Sequence, residues 1–146
     1  MSLILIMILH KELTGEILKV FYDVYNELGY GFLERVYQNA LFIELKERGF
    51  EVEAQKRISV YYKDHFVGDY FADIIVNDTV ILELKACDTI VEEFEYQLIN
   101  YLKSTRCEVG LLLNFGKEPE FVRKVFKNSS KKIRVNPPDQ RHQRSI

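Results

Sequence analysis

The sequence predicts an α/β protein in which helices flank one mixed central sheet. Three observations carry that expectation. Apolar residues recur at i, i+3, i+4 and i+7 through the first third of the chain, as they do along one face of a helix. Runs of Val, Ile and Leu with strand character fill the middle, and a further helical stretch separates them from a last apolar run. With 146 residues, 47% of them hydrophobic, the chain suffices for one core and not for a second independent domain.

The elements follow in order. Thr14 can cap a helix reaching about Leu28, with Ile17, Val20, Phe21, Val24, Tyr25 and Leu28 on one face, and Gly29 and Gly31 ending it. A second helix spans about Leu33 to Arg48, buries Val36, Tyr37, Ala40, Leu41 and Leu45, and stops at Gly49. From Val52 to Tyr62 the apolar residues Val52, Ala54, Ile58, Val60 and Tyr62 share one parity, as in a half-buried strand. Lys63-Asp64 turns into a strand from about Phe66 to Val76, and Asn77-Asp78 makes a hairpin into Thr79–Lys85. Thr89-Ile90-Val91-Glu92 fits a capping box for a third helix to about Thr105. Glu108 to Asn114 reads as a final strand, and Pro119 as the first residue of a short helix through Phe126. The expected order is α-α-β-β-β-α-β-α.

The apolar opening, Met1 to Leu9, is too short to span a bilayer and lacks the basic start and cleavage site of a signal peptide. It reads as a strand or first turn packed on the core, with Met7 as an alternative start. At the other end, residues 127–146 carry six Lys or Arg against the single acid Asp139, whereas residues 1–126 carry 14 basic and 21 acidic residues. Residues 1–126 are therefore expected to form the domain, and 127–146 a basic, flexible tail able to hold phosphates or simply to remain solvated. Cys87 and Cys107 form no CxxC pair, and His10, His65 and His142 are scattered, which excludes an iron–sulfur or zinc motif and points to a reducing, cytoplasmic setting.

The residues that carry chemistry are acids and a lysine set into apolar strands. Asp73 follows Phe71-Ala72, and Glu83 and Lys85 lie in Val80-Ile81-Leu82-Glu83-Leu84-Lys85. By strand alternation Glu83 and Lys85 share one face while Leu82 and Leu84 take the other. Burying a carboxylate costs several kcal/mol unless it is paired or binds a metal. Two acids on neighbouring strands of one hairpin, with a lysine about 7 Å further along, thus suit a divalent metal bound through hard oxygens. Against this stands a cross-strand ion pair on a solvated face, the commoner meaning of a lone Glu-x-Lys. Glu34 opens the second helix, where it can reach the sheet edge or merely complement the helix dipole. Gln97 and Tyr101, at i and i+4, share a helix face and can serve a site or only pack.

Taken together, Gly31-Phe32-Leu33-Glu34-Arg35-Val36-Tyr37, Gly68-Asp69-Tyr70-Phe71-Ala72-Asp73, Glu83-Leu84-Lys85-Ala86, Gln97-Leu98-Ile99-Asn100-Tyr101 and Gly110-Leu111-Leu112-Leu113-Asn114-Phe115-Gly116 resemble, in that order, the GxxExxY protein family, a branch of the PD-(D/E)XK nuclease superfamily. The resemblance spans roughly residues 10–126. It implies a restriction-endonuclease-like αβββαβ core with Asp73 and Glu83 as metal ligands, Glu34 as an additional acid and Lys85 as the catalytic lysine. Gln97 and Tyr101 resemble the QxxxY element of the exonuclease-type branch. Ala72 stands where the superfamily name has proline.

The expected function is Mg²⁺-dependent (or Mn²⁺-dependent) hydrolysis of nucleic-acid phosphodiesters, with DNA ahead of RNA, no membrane partner and a homodimer as an option. The acidic body sits awkwardly with nucleic acid, although Lys56, Arg57, Lys63, Lys103 and the tail offer a local basic track. The rival is a catalytically silent nuclease-fold module that binds a protein or nucleic-acid partner. A phosphohydrolase of small esters has less support, because no glycine-rich phosphate loop is visible.

Overall fold

The structure, a computed structural model, describes residues 2–132. The elements are α1 (Leu3–Leu28), α2 (Glu34–Glu47), β1 (Val52–Tyr62), β2 (His65–Val76), β3 (Val80–Lys85), α3 (Glu92–Lys103), β4 (Val109–Phe115) and β5 (Pro119–Val125), then one 3-10 turn, Asn128–Ser130. The five strands lie in the order β1-β2-β3-β4-β5. β3 and β4 run parallel, joined by the α3 crossover, and the other neighbours are antiparallel. The sheet is therefore mixed.

Each face of the sheet has its own core. On one face α1 and α2 contribute Ile17, Phe21, Tyr37, Leu41 and Leu45, packed against Ile74, Leu82, Leu84, Leu111 and Leu113. On the other, Leu98, Tyr101 and Leu102 of α3 pack against Ile58, Ala72, Ile75, Ile81 and Leu112. Burial of β3 and β4 on both faces explains why their sequences are continuously apolar rather than alternating. Against that background a carboxylate on β3 stands out.

Four expectations require correction. The opening residues form neither a strand nor a separate turn: Ser2 caps α1 through its side chain, and the helix runs unbroken past Thr14. Leu3, Ile4, Leu5, Met7 and Ile8 are exposed, not packed on the core. The capping box at Thr89 does not form; α3 begins at Glu92 with Val91 as its cap residue and no side-chain cap, and three acids in the first turn complement its dipole instead. Pro119 starts an edge strand, not a helix. The chain turns back after Phe115 and pairs residue by residue with β4, so the ladder overrides local helical spacing, and proline is tolerated as a first strand residue.

The fourth correction concerns β1. Val52 packs on the α1–α2 face and Ile58 on the α3 face, although both have the same parity. The two strands change face together: Ala54↔Ile74 and Lys56↔Ala72 are paired, and Gln55 and Asp73 between them drop out of the ladder. Gln55 has φ of 53°, a conformation unusual for a residue with a side chain. A second shift at Val60/Tyr61 buries Tyr61 and leaves Tyr62 exposed. The Asn77-Asp78 hairpin is as expected, with positive φ at both residues and Thr79 N–H donating to the Val76 carbonyl. The expected helix faces of α1 and α2 are also found, except that Val36 is exposed. Among the described residues no helix is long and apolar enough to cross a membrane, and Cys87 and Cys107 are both free thiols. The tail beyond residue 132, including Asp139 and His142, lies outside the described residues.

Candidate active site at the fork of β2 and β3

The ladder between β2 and β3 is only three pairs long, from Val76↔Val80 to Ile74↔Leu82. Beyond it the strands part, leaving main-chain N–H groups that a continued ladder would have satisfied. Two carboxylates take them. The Asp73 amide donates to Glu83 Oε1 at 3.2 Å, and the Leu84 amide donates to Asp73 Oδ2 at 2.9 Å. Each acid thus bonds the opposite strand, and the pair spans the fork.

β3 is held in place from its other side. Its parallel ladder with β4 continues through Lys85↔Asn114. Asn114 is fully buried and clamps the next turn, accepting from the Cys87 amide (3.0 Å) and donating to the Cys87 carbonyl (2.9 Å). Lys85 therefore leaves β3 on a fixed main chain, with its ammonium 4.4 Å from the centre of the Phe94 ring on α3.

Glu34 is placed by the turn before α2. Gly29 and Gly31 have φ of 75° and 114°, which a side chain would strain. Tyr37, buried and stacked 4.3 Å from Phe115, donates its hydroxyl proton to the Gly29 carbonyl (2.6 Å) and accepts from the Phe32 amide (3.1 Å). The spacing Gly31-x-x-Glu34-x-x-Tyr37 thus has a physical meaning: glycine permits the turn, tyrosine ties it down, and the acid starts the helix that results.

Electrostatics show which of these groups meet. Glu83 is 5% exposed, and burial with the neighbouring Asp73 charge pushes its pKa up to about 8, against the opposing pull of the Asp73 amide and Lys85. Burial also raises Asp73, opposed by the Leu84 amide, Lys85 and Gln55. Glu34 reaches solvent, yet desolvation raises its pKa, with Lys85 lowering and Asp73 raising it. The Tyr101 phenol is raised by burial and then by Glu83 and Asp73. Gln97 Nε2 donates to the Tyr101 hydroxyl at 2.9 Å. Asp73, Glu83, Lys85, Glu34 and Tyr101 thus share one electrostatic neighbourhood, and Gln97 joins it through Tyr101.

Among the described residues, no Lys or Arg forms an ion pair with Asp73 or Glu83. Two carboxylates held in a desolvated fork without a cationic partner have the chemistry to receive a hard cation. Among the described residues, no three His, Cys, Asp or Glu side chains are gathered tightly enough to hold a metal unaided. Glu34, exposed at the start of α2, is near enough for its carboxyl to feel the charges of Asp73 and Lys85.

One residue of the neighbourhood had no sequence signal. Gln55, opposite Asp73 at the face change, donates to Asp73 Oδ1 (3.4 Å) and to Gln38 Oε1 on α2 (3.1 Å). Its role depends on a backbone irregularity, which periodicity cannot reveal. Of the suggested basic track, Lys56 is paired with Glu53 (2.9 Å) and Arg57 with Asp69 (2.6 Å), while Lys63 and Lys103 lie over Tyr62 and Phe126.

A mixed sheet containing the succession α2-β1-β2-β3-α3-β4, with acids at the fork of its second and third strands, defines the restriction-endonuclease-like class of α/β fold. Residues 11–125 match the model of the PD-(D/E)XK nuclease superfamily, and the chain belongs to that superfamily. No curated protein and no solved structure matches it.

Proposed function

We propose that this protein is a divalent-metal-dependent nuclease that hydrolyses nucleic-acid phosphodiesters at the β2–β3 fork. The observation that carries the reading is the pair of desolvated carboxylates, Asp73 and Glu83, each anchored by the other strand's main chain and, among the described residues, neither in an ion pair. These two acids would hold Mg²⁺ or Mn²⁺, ions that favour carboxylate oxygen. When bound, such an ion supplies Lewis-acid polarisation of a phosphoryl oxygen and lowers the pKa of water.

The chain's own residues supply the rest. Lys85, steered by the Phe94 ring and the Asn114 clamp, places a positive charge beside the acids, where negative charge develops on the phosphoryl group. Glu34, whose pKa desolvation raises against the pull of Lys85, would be placed beside the acids to accept or return a proton. Gln97 and Tyr101 present an amide and a phenol beside the fork, and the high pKa of Tyr101 keeps it a hydrogen-bond donor. We place DNA ahead of RNA as substrate, and a cytoplasmic setting fits the two free thiols.

The test has two stages. Calorimetry with Mn²⁺ and Mg²⁺ is expected to show binding to wild type and none to Asp73→Ala. Cleavage of single- and double-stranded DNA and RNA is then expected in wild type and lost in Lys85→Ala, with its circular dichroism unchanged. Wild-type activity in Lys85→Ala, or in Glu83→Ala, would defeat the assignment. Metal-independent binding of nucleic acid without cleavage would favour the silent module instead.

A further inference from the structure

We infer that the substrate is single-stranded nucleic acid, or an unpaired end, gripped by its bases between Tyr70 and Tyr30 on either flank of the fork. This rests on the nuclease reading for the location of the scissile phosphate, but the grip can be measured without it.

Tyr70 lies three residues before Asp73 and is 40% exposed. Its ring is tilted against that of Tyr101, with centroids 5.2 Å apart, and Tyr101 is in turn fixed by Gln97 and feels the charges of Glu83 and Asp73. Tyr30 is 53% exposed, in the turn that leads to Glu34. Its hydroxyl reaches Asp88 Oδ1 at 3.5 Å, three residues beyond Lys85. One ring is therefore tied to the helix beside the acids and the other to the loop after the lysine. Both rings are partly exposed, and what sets them apart from the other exposed aromatics is their place beside the acids and the lysine.

Charge argues for the same occupant. A protein that tracks duplex DNA neutralises its phosphates with lysine and arginine. Here residues 1–126 have an acidic excess, and Arg57 and Lys56, on the strand paired with Tyr70, are spent on Asp69 and Glu53. Duplex DNA carries about one charge per 1.7 Å of axis, so the acidic body repels it more than it repels a single strand. Stacking on aromatic rings gives affinity that does not depend on basic residues, and only unpaired bases expose a ring face to it.

The test is equilibrium binding, by fluorescence anisotropy in EDTA, of a labelled single-stranded oligonucleotide and of the blunt duplex of the same sequence. Tyr70→Ala and Tyr30→Ala are each expected to weaken single-strand binding about 5- to 100-fold. Tyr70→Phe and Tyr30→Phe, which keep the ring, should bind within about two-fold of wild type. Tyr70→Leu serves if alanine unsettles Tyr101, since leucine fills the space without offering a ring. Tyr62→Ala, on an exposed ring at the distant tip of the β1–β2 hairpin, should change nothing. Equal or tighter binding of duplex, or single-strand binding indifferent to the alanine and leucine variants, would overturn the inference. The two readings fail separately: ring-dependent binding without cleavage spares the grip and removes the nuclease, whereas duplex cleavage indifferent to both rings does the reverse.

Discussion

Replacing Glu83 by glutamine should stabilise the metal-free protein while abolishing its response to metal. Glutamine keeps an oxygen to accept from the Asp73 amide, as Glu83 Oε1 does, and removes a charge that burial and Asp73 both oppose. At about 1.4 kcal/mol per unit, a carboxyl moved from 4.5 to about 8 costs the native state roughly 3 kcal/mol at pH 7. A buried amide that lacks a partner for its N–H groups returns about 1–2 kcal/mol of that. A net gain of about 1–2 kcal/mol corresponds to a melting temperature higher by roughly 3–8 °C for a chain of this size.

The pH dependence is the sharper signature. The native pKa of Glu83 lies above its unfolded value, so its contribution to stability is fully present below about 4.5 and is lost as pH rises through about 8. Glutamine has no proton to lose, so the gap between variant and wild type should widen between about pH 4.5 and pH 8 and then level off. Thermal melts followed by circular dichroism in EDTA would measure it. A variant that melts lower than wild type at every pH, or by a constant margin, would refute the argument that the site stores electrostatic cost. Saturating Mn²⁺ should then raise the wild-type melt, by about 2.7 kcal/mol at a hundred times Kd, and leave Glu83→Gln unmoved.

Two further substitutions probe the scaffold behind the site. Asn114→Ala removes both hydrogen bonds to Cys87 and leaves a main-chain N–H and C=O unpaired; urea unfolding should show a loss of about 2–4 kcal/mol. Gly116→Ala sets a methyl group 2.5 Å from the Cys87 carbonyl, main chain that cannot swing aside. A loss of about 1–3 kcal/mol is expected, together with reduced metal affinity by calorimetry because the displaced segment follows Lys85.

Much of this arrangement could be read from the residues. The periodicities of α1 and α2, the Asn77-Asp78 hairpin and the doubly buried β3 and β4 follow from local chemistry that tertiary packing reinforces. Asp73 and Glu83 announced themselves as acids in apolar strands, and the structure brings them together. The misses have a common cause. β5 depends on a partner strand that its own helical spacing does not reveal. The face change at Gln55 and Asp73 breaks the alternation on which a strand reading rests, and so hid both the burial pattern of β1 and the contact from Gln55 to Asp73. Thr89 has the right spacing for a capping box, but the acids that follow let the helix start two residues later.

The unequal anchoring of the two strands at the fork limits how the site can adapt to what it holds. β3 is fixed to β4 over six register pairs, up to and including Lys85, whereas β2 is fixed to β3 over only three. Past the Ile74–Leu82 pair, β2 is held instead by side chains: the bonds that Asp73 and Glu83 make across the fork, Gln55 on Gln38 of α2, and Tyr70 against Tyr101 of α3. One wall of the cleft is thus built from main-chain ladder and the other from side-chain contacts. A substitution among those contacts would alter the spacing of the two acids, whereas one on the β3–β4 ladder would disturb the core first.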